Sequence, residues 1–226
     1  MSTNSIVVFD IDGTLTDSVA QHQKAFEKAL RSFAFPALRT DWAVYRHHSD
    51  SGTFEGAWEE AGWSQQPDHA ALEERFRLEF DAVLETDPVA PISGAAEFLV
   101  ALRQTDWIPV FATGSLRHGA LRKLTSLNVA FDEELLVTAS EYPTREEIVS
   151  HAILRAKEKY SIACTERVVS IGDGIWDLKT AQNLGLEFLG IGFADKAERF
   201  RALGARVYPG FGDGLAILAD ANPFRH

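Results

Sequence analysis

Short apolar runs recur along the chain at Ile6–Phe9, Ile108–Ala112, Leu135–Thr138, Val168–Ile171 and Phe188–Ile191, with a weaker one at Arg206–Tyr208. Each is rich in Val, Ile, Leu or Phe and lacks strict apolar/polar alternation, which predicts strands covered on both faces. Between them lie helical patterns over Ala95–Gln104, Leu116–Leu127, Arg145–Tyr160, Leu178–Leu184 and Ala197–Leu203. Strand and helix taken in turn predict an α/β fold built on a parallel sheet with right-handed crossovers. Thr144 followed by Glu147 reads as a capping box opening the helix with Ile148, Ala152 and Ala156. Gly185 and Gly204 stand where the residue just past a helix end belongs. Pro109 falls inside a predicted strand and has no N–H for a ladder, so that strand either begins there or is shorter than its apolar run.

From Val19 to Asp87 the pattern changes, and no strand-like run occurs. Ser18 and Gln21 read as a capping box before a helix carrying Phe26, Leu30 and Phe33. Leu72, Phe76, Phe80 and Val83 recur at helical spacing after Pro67–Asp68, and Thr53–Ala61 is a shorter helix. The segment Asp87–Pro91, with two prolines, predicts a stiff exit. The expected organisation is a core of residues 1–17 and 88–226, with a helical cap of residues 18–87 inserted after the first strand as a candidate lid.

With 46% hydrophobic and 24% charged residues, the composition is that of an ordinary globular protein. The single cysteine, Cys164, excludes an internal disulfide and a Cys-based zinc cluster, and its small, apolar neighbours predict an inert, half-buried thiol. Lys and Arg number 22 against 33 Asp and Glu, a net −11, and no basic run appears. Nucleic acid and anionic membranes are therefore not expected partners. No apolar stretch approaches the roughly 20 residues that span a bilayer. The N-terminus MSTNSIVVFDIDG lacks the basic start of a signal peptide, so the expected compartment is the cytoplasm. No repeat or heptad forces association, and no obligate protein partner is inferred.

In open parallel sheets, ligands bind past the carboxyl ends of the strands. The polar residues that follow the runs here are Asp10-Ile11-Asp12-Gly13-Thr14-Leu15-Thr16-Asp17, Thr113-Gly114-Ser115, Tyr142-Pro143-Thr144-Arg145 and Gly172-Asp173-Gly174-Ile175-Trp176-Asp177. Asp10, Asp12, Asp173 and Asp177 are expected to converge with few basic neighbours, which is unfavourable unless a divalent cation neutralises them. An all-oxygen donor set suits Mg²⁺. Taken singly, Asp10, Asp17 or Asp177 also reads as a helix cap.

These motifs resemble those of the haloacid dehalogenase-like hydrolases, in the phosphoglycolate-phosphatase-like branch with an inserted helical (type C1) cap. Phe9-Asp10-Ile11-Asp12-Gly13-Thr14-Leu15-Thr16-Asp17 is similar to the family's first motif, Phe111-Ala112-Thr113-Gly114-Ser115 to its second and Gly172 to Asp177 to its fourth. The resemblance spans nearly the whole chain and implies a Rossmann-like core. It also implies a phosphatase that uses Mg²⁺ and cleaves small-molecule phosphate monoesters through an aspartyl-phosphate. Asp10 would be the nucleophile and Asp12 the general acid and base. Mg²⁺ would be held by the Asp10 carboxylate, the Asp12 carbonyl and Asp173, with Asp177 orienting a bound water or a cation. Thr113 and the backbone about Gly114 and Ser115 would hold phosphate oxygens.

The family's third motif carries a Lys, and none occurs here before Lys157. Arg145, at a loop-to-helix junction, is the expected stand-in; the alternative is a surface arginine paired with Glu141 or Glu146. The polar stretch Arg46-His47-His48-Ser49-Asp50-Ser51-Gly52 either folds over the leaving group, with Gly52 in a turn, or is a solvated connector. Arg46 and His47 of this stretch, and His22 on the first cap helix, are the candidate substrate contacts. Two other readings stay open: a sugar-phosphate mutase resembling beta-phosphoglucomutase, and a non-enzymatic descendant that binds a phosphate ligand or a partner.

Overall fold

A computed structural model of the chain describes residues 5–223. Strand β1 (Ser5–Phe9) is buried throughout and lies at the middle of the sheet. The chain then forms a two-residue strand β2 (Thr16–Asp17) and three helices, α1 (Val19–Arg31), α2 (Asp50–Glu60) and α3 (His69–Thr86). It returns through β3 (Ala90–Pro91), antiparallel to β2. Next come α4 (Ala95–Leu102), β4 (Trp107–Thr113), α5 (Arg117–Ser126), β5 (Leu136–Thr138), α6 (Arg145–Lys159), β6 (Val168–Gly172), α7 (Ile175–Asn183), β7 (Glu187–Ile191), α8 (Ala194–Ala202) and β8 (Arg206–Tyr208). The last described segment, β9 (Asn222–Pro223), pairs antiparallel with β7.

The main sheet runs β5-β4-β1-β6-β7-β8 and is parallel along that path, as the apolar runs predict. Alternate residues of β1 point to opposite faces. Val7 and Phe9 join a core layer with Phe98 and Leu99 of α4 and Ala120 and Leu124 of α5. Ile6 and Val8 pack on the other face with Ile148 and Ala152 of α6. β1 lies where the strand order switches direction between β4 and β6, so their carboxyl ends open a crevice there. Pro109 is tolerated because β5 pairs only with Phe111–Thr113, leaving the proline a sheet neighbour on the β1 side alone.

The helical insert has its own apolar cluster: Phe26 and Leu30 from α1, Phe54 and Trp58 from α2, Leu72, Phe76 and Phe80 from α3, and Leu116 from the core. Asp68 opens α3 by accepting the Ala71 N–H. Thr144 likewise accepts the Glu147 N–H to open α6, and Gly185 and Gly204 have positive φ after α7 and α8.

Several local expectations are corrected. Ser18 precedes α1 but makes no capping bond, because its hydroxyl donates to Asp12. α1 ends at Arg31, before Phe33. α2 begins at Asp50 with Ser49 as its cap, so Gly52 lies in a helix rather than a turn. The stiff exit at Ala90–Pro91 is a strand. α7 starts three residues earlier than its apolar pattern suggests, since Asp177 accepts the Gly174 N–H and closes its first turn. Cys164 is exposed, not half-buried, in the loop that follows the left-handed Ser161.

Candidate active site

Asp10 emerges from β1 with its N–H bonded to the Ile171 carbonyl, which sets it beside the end of β6. Asp173 follows β6, and Asp177 is held in the first turn of α7. One carboxylate oxygen from each of these three buried residues lies within 4.8 Å of the others. Arg145, the first residue of α6, reaches into the group: Nη1 donates to Asp10 (2.9 Å) and Asp177 (3.1 Å), and Nε to the His48 carbonyl (2.7 Å). Lys196 of α8 pairs with Asp173, and Thr14 donates to Asp10. Gly13, at φ 76°, is required, since a Cβ there would lie 2.1 Å from Asp173 Oδ2.

Burial pushes the Asp10 carboxyl up, Asp173 and Asp12 add to the rise, and Arg145 opposes it. Asp173 is raised in the same way by burial and by Asp177, against Lys196. Asp177 is pushed up to about 7, by burial first and then by the Asp10 charge. A buried, oxygen-only cluster whose members resist ionising together matches what a hard divalent cation requires.

Asp12 is placed differently. The sequence expectation of four converging carboxylates with few basic neighbours is corrected: three converge, and Arg145, Lys196 and Lys123 are all close by. The Asp12 carboxylate accepts hydrogen bonds from Ser18 (2.6 Å), Ser115 (2.5 Å) and Lys123 (2.7 Å). Burial pushes its pKa up, but the Lys123 charge and the hydrogen bonds from Lys123 and Ser115 outweigh that and hold it well below the usual carboxylate range. Lys123 was missed by motif reading. Its signal is the helical stripe Ala120, Lys123, Leu124, Leu127: a lysine at one of four buried positions of that stripe. Such a lysine, wholly inaccessible, requires partners.

Thr113 ends β4 and its hydroxyl accepts the Ser115 N–H (3.1 Å). The insert packs tightly on Gly114, where a Cβ would meet the His48 carbonyl and the Arg145 guanidinium at 2.7 and 2.8 Å. The Asp50 N–H donates to the Gly114 carbonyl and its Oδ2 accepts the Leu116 N–H. Ser49 and Ser51 donate to the carbonyls of Pro143 and Ala139. The His48–Ser51 stretch is thus bonded to the core rather than solvated. His22 lies within the Asp12 network, bonded to Asp50 and Lys123. His47 is half-buried and its carbonyl accepts from Thr53, while Arg46 is exposed. His48, not singled out by sequence as a contact, stacks on Trp176 at 5.0 Å across the seam. Lys159 pairs far away with Asp132 and Glu134. No helix among the described residues is long and apolar enough to cross a membrane.

The family described as haloacid dehalogenase-like hydrolase matches residues 5–185. A hydrolase from Pseudomonas syringae is similar over 95% of this chain and 97% of its own, with a TM-score of 0.71 and 25% identity. A structure described as a predicted phosphoglycolate phosphatase from Haemophilus somnus 129pt aligns over 96% of this chain and 99% of its own, with a TM-score of 0.60 and 15% identity. An archaeal beta-phosphoglucomutase from Pyrococcus sp. strain ST 04 aligns over 96% and 97%, with a TM-score of 0.56 and 16% identity. At these last two identities the likeness is one of fold. No curated protein matches the sequence.

Proposed function

Because the chain belongs to the haloacid dehalogenase-like hydrolases, we propose that it hydrolyses phosphate monoesters of small molecules through an aspartyl-phosphate on Asp10. Residues 1–17 and 88–226 form the catalytic core in this reading, and residues 18–87 form the cap that closes over it. The observation that carries it is the opposed placement of two aspartates only two residues apart. Asp10 sits beside Arg145, Asp173 and Asp177, while Asp12 is held as an anion by Lys123 and two hydroxyls.

In the first half-reaction an Asp10 oxygen forms a bond to phosphorus as the ester P–O bond breaks, and Asp12, having taken up a proton as the substrate binds, gives it to the departing oxygen. An incoming phosphate dianion raises the proton affinity of Asp12, fitting it for that step. In the second, Asp12 takes a proton from water, whose oxygen attacks phosphorus and releases Asp10. Arg145 stands in for the family's lysine and binds phosphate oxygens with its fork. Thr113, with the backbone of Gly114 and Ser115 at the start of α5, holds the others. Asp10, Asp173, Asp177 and the Asp12 carbonyl are the residues that would hold Mg²⁺. Bound there, such an ion would shield the carboxylate nucleophile from its anionic target. The insert forms the wall toward the leaving group, with Arg46 and His47 as its polar side chains, and its closure excludes water.

Phosphate release from 4-nitrophenyl phosphate and from a panel of metabolite phosphates, with and without Mg²⁺, tests the reading. Asp10→Asn is expected to abolish turnover while preserving the circular dichroism spectrum and melting temperature. Near wild-type turnover in that variant overturns the mechanism. Incubation with a hexose 1-phosphate that yields an isomer in place of free phosphate reassigns the protein as a mutase.

A further inference from the structure

We propose that Lys123 is a positioning residue for Asp12, and that through His22 and Asp50 it makes the aim of that carboxylate depend on the seating of the helical insert. The inference rests on the reading that Asp12 acts on the leaving group.

Lys123 is wholly inaccessible, and its ammonium has three N–H groups and three acceptors. These are Asp12 Oδ2 at 2.7 Å, Ser115 Oγ at 2.9 Å and His22 Nδ1 at 3.0 Å. The partners fix every proton. An ammonium only donates, so Nδ1 of His22 carries the lone pair. Nε2 then carries the hydrogen and donates to Asp50 Oδ1 at 2.9 Å. Asp50 Oδ2 in turn accepts the Leu116 N–H at 2.8 Å, at the start of α5. On the other side, Ser115 accepts from Lys123 and donates to Asp12, while Ser18 donates to the second Asp12 oxygen. No donor in this chain points at another donor.

His22 belongs to α1 and Asp50 to α2, whereas Asp12, Ser115 and Lys123 belong to the core. The surroundings are apolar: the His22 ring packs against Phe26, Phe76 and Phe80, and the Lys123 ammonium lies 5.2 Å from the centre of the Phe80 ring. Lifting the insert takes away the Nδ1 acceptor together with the Phe26, Phe76 and Phe80 rings, so water replaces His22 around the ammonium and no fixed partner holds it on that side. The ammonium then has every reason to swing, and Asp12 loses its strongest anchor. Asp12 is therefore aimed when the insert is seated and released when it lifts.

The test uses Lys123→Met, Lys123→Arg, His22→Phe and Asp50→Asn in the full chain, with two independent readouts. The first needs no reaction: ¹⁵N-edited NMR of the histidine rings is expected to find His22 as the neutral Nε2–H tautomer in the wild type, and as a tautomer mixture in Lys123→Met. The second is kinetic. Lys123→Met is expected to lower kcat by about 10²-fold or more, with KM changed less than about threefold, the size of effect general acid–base groups have. The loss is expected to be larger for an alkyl phosphate than for 4-nitrophenyl phosphate, whose leaving group needs no proton. Lys123→Arg restores part of kcat. His22→Phe lowers kcat in the wild-type background and adds little to Lys123→Met. Should Lys123→Met fail to fold, Asp50→Asn reads the same chain from its far end: an amide cannot accept from both His22 and Leu116, and kcat falls about tenfold with Asp12 untouched. Wild-type kcat in Lys123→Met, additive losses in the double variant, or a loss that only tracks melting temperature overturns the proposal, as does an Nδ1–H tautomer in the wild type. A wild-type protein that releases phosphate from no ester, with the tautomer as stated, identifies the functional reading as the point of failure, and the positioning role falls with it.

Discussion

Raising the pH from about 5 to about 7.5 without divalent ions is expected to destabilise the folded protein, and Mg²⁺ to reverse the effect. Asp177 titrates near 7 in the fold against 3.8 for an unperturbed side chain. At about 1.4 kcal/mol per pKa unit, the roughly two units between pH 5 and 7 are worth about 3 kcal/mol. The sign follows from proton binding: between about pH 4 and 7 the folded state keeps a proton that the unfolded state has lost, so stability falls as pH rises. Asp10 and Asp173 shift in the same direction and steepen the fall. Asp12 shifts the opposite way, but its contribution is lost only below about pH 4, outside this window. Mg²⁺ at a hundred times its dissociation constant returns about 2.7 kcal/mol. The assay is urea unfolding followed by tryptophan fluorescence at both pH values, in EDTA and in Mg²⁺, for the wild type and Asp177→Asn. The variant keeps an acceptor for the Gly174 N–H and is expected to show the shallower pH slope and the weaker response to Mg²⁺. An apo wild type as stable at the higher pH, or a variant with the wild-type slope, refutes the reasoning.

Two further substitutions test other parts of the site. Arg145→Lys replaces a fork that reaches Asp10, Asp177 and the His48 carbonyl with a single ammonium. It is expected to lower kcat/KM for phosphate release about 10- to 100-fold, the worth of one charged hydrogen bond; an unchanged rate means Arg145 only pairs with its neighbours. Gly119→Ala puts a methyl 2.8 Å from the Phe76 ring, where α3 lies over α5. It is expected to cost about 1–3 kcal/mol and to raise hydrogen exchange across residues 19–86 while the sheet stays protected.

The sheet was readable because each of its buried strands is a compact apolar run followed at once by polar residues, so both the element and its active end are local signals. Asp10, Asp173 and Asp177 were readable for the same reason: each follows a strand end. Arg145 could be placed because it opens a helix after β5. Features that depend on distant partners were not legible. Lys123 sits 111 positions from Asp12 and eight from Ser115, and no local pattern announces that pairing. Asp50 reads as part of a polar loop until the Leu116 N–H and His22 are found beside it. Ser18 has the spacing of a cap, yet Asp12 competes successfully for its hydroxyl. The aspect that motif reading reversed was the charge balance, since the cations come from α5, α6 and α8, far from the acids in the chain.

The short pair formed by Thr16–Asp17 and Ala90–Pro91 brings together the two points where the chain leaves the sheet and comes back. Two antiparallel strands in that relation can be joined by a turn of about two residues. From the standpoint of β1, then, everything from α1 to α3 is one oversized hairpin loop. Its length and sequence can be rewritten, or exchanged for another unit, without moving Asp10 at the strand's end. What such an exchange has to keep is small: His22 and Asp50, the insert residues bonded into the chain that ends on Lys123 and Asp12.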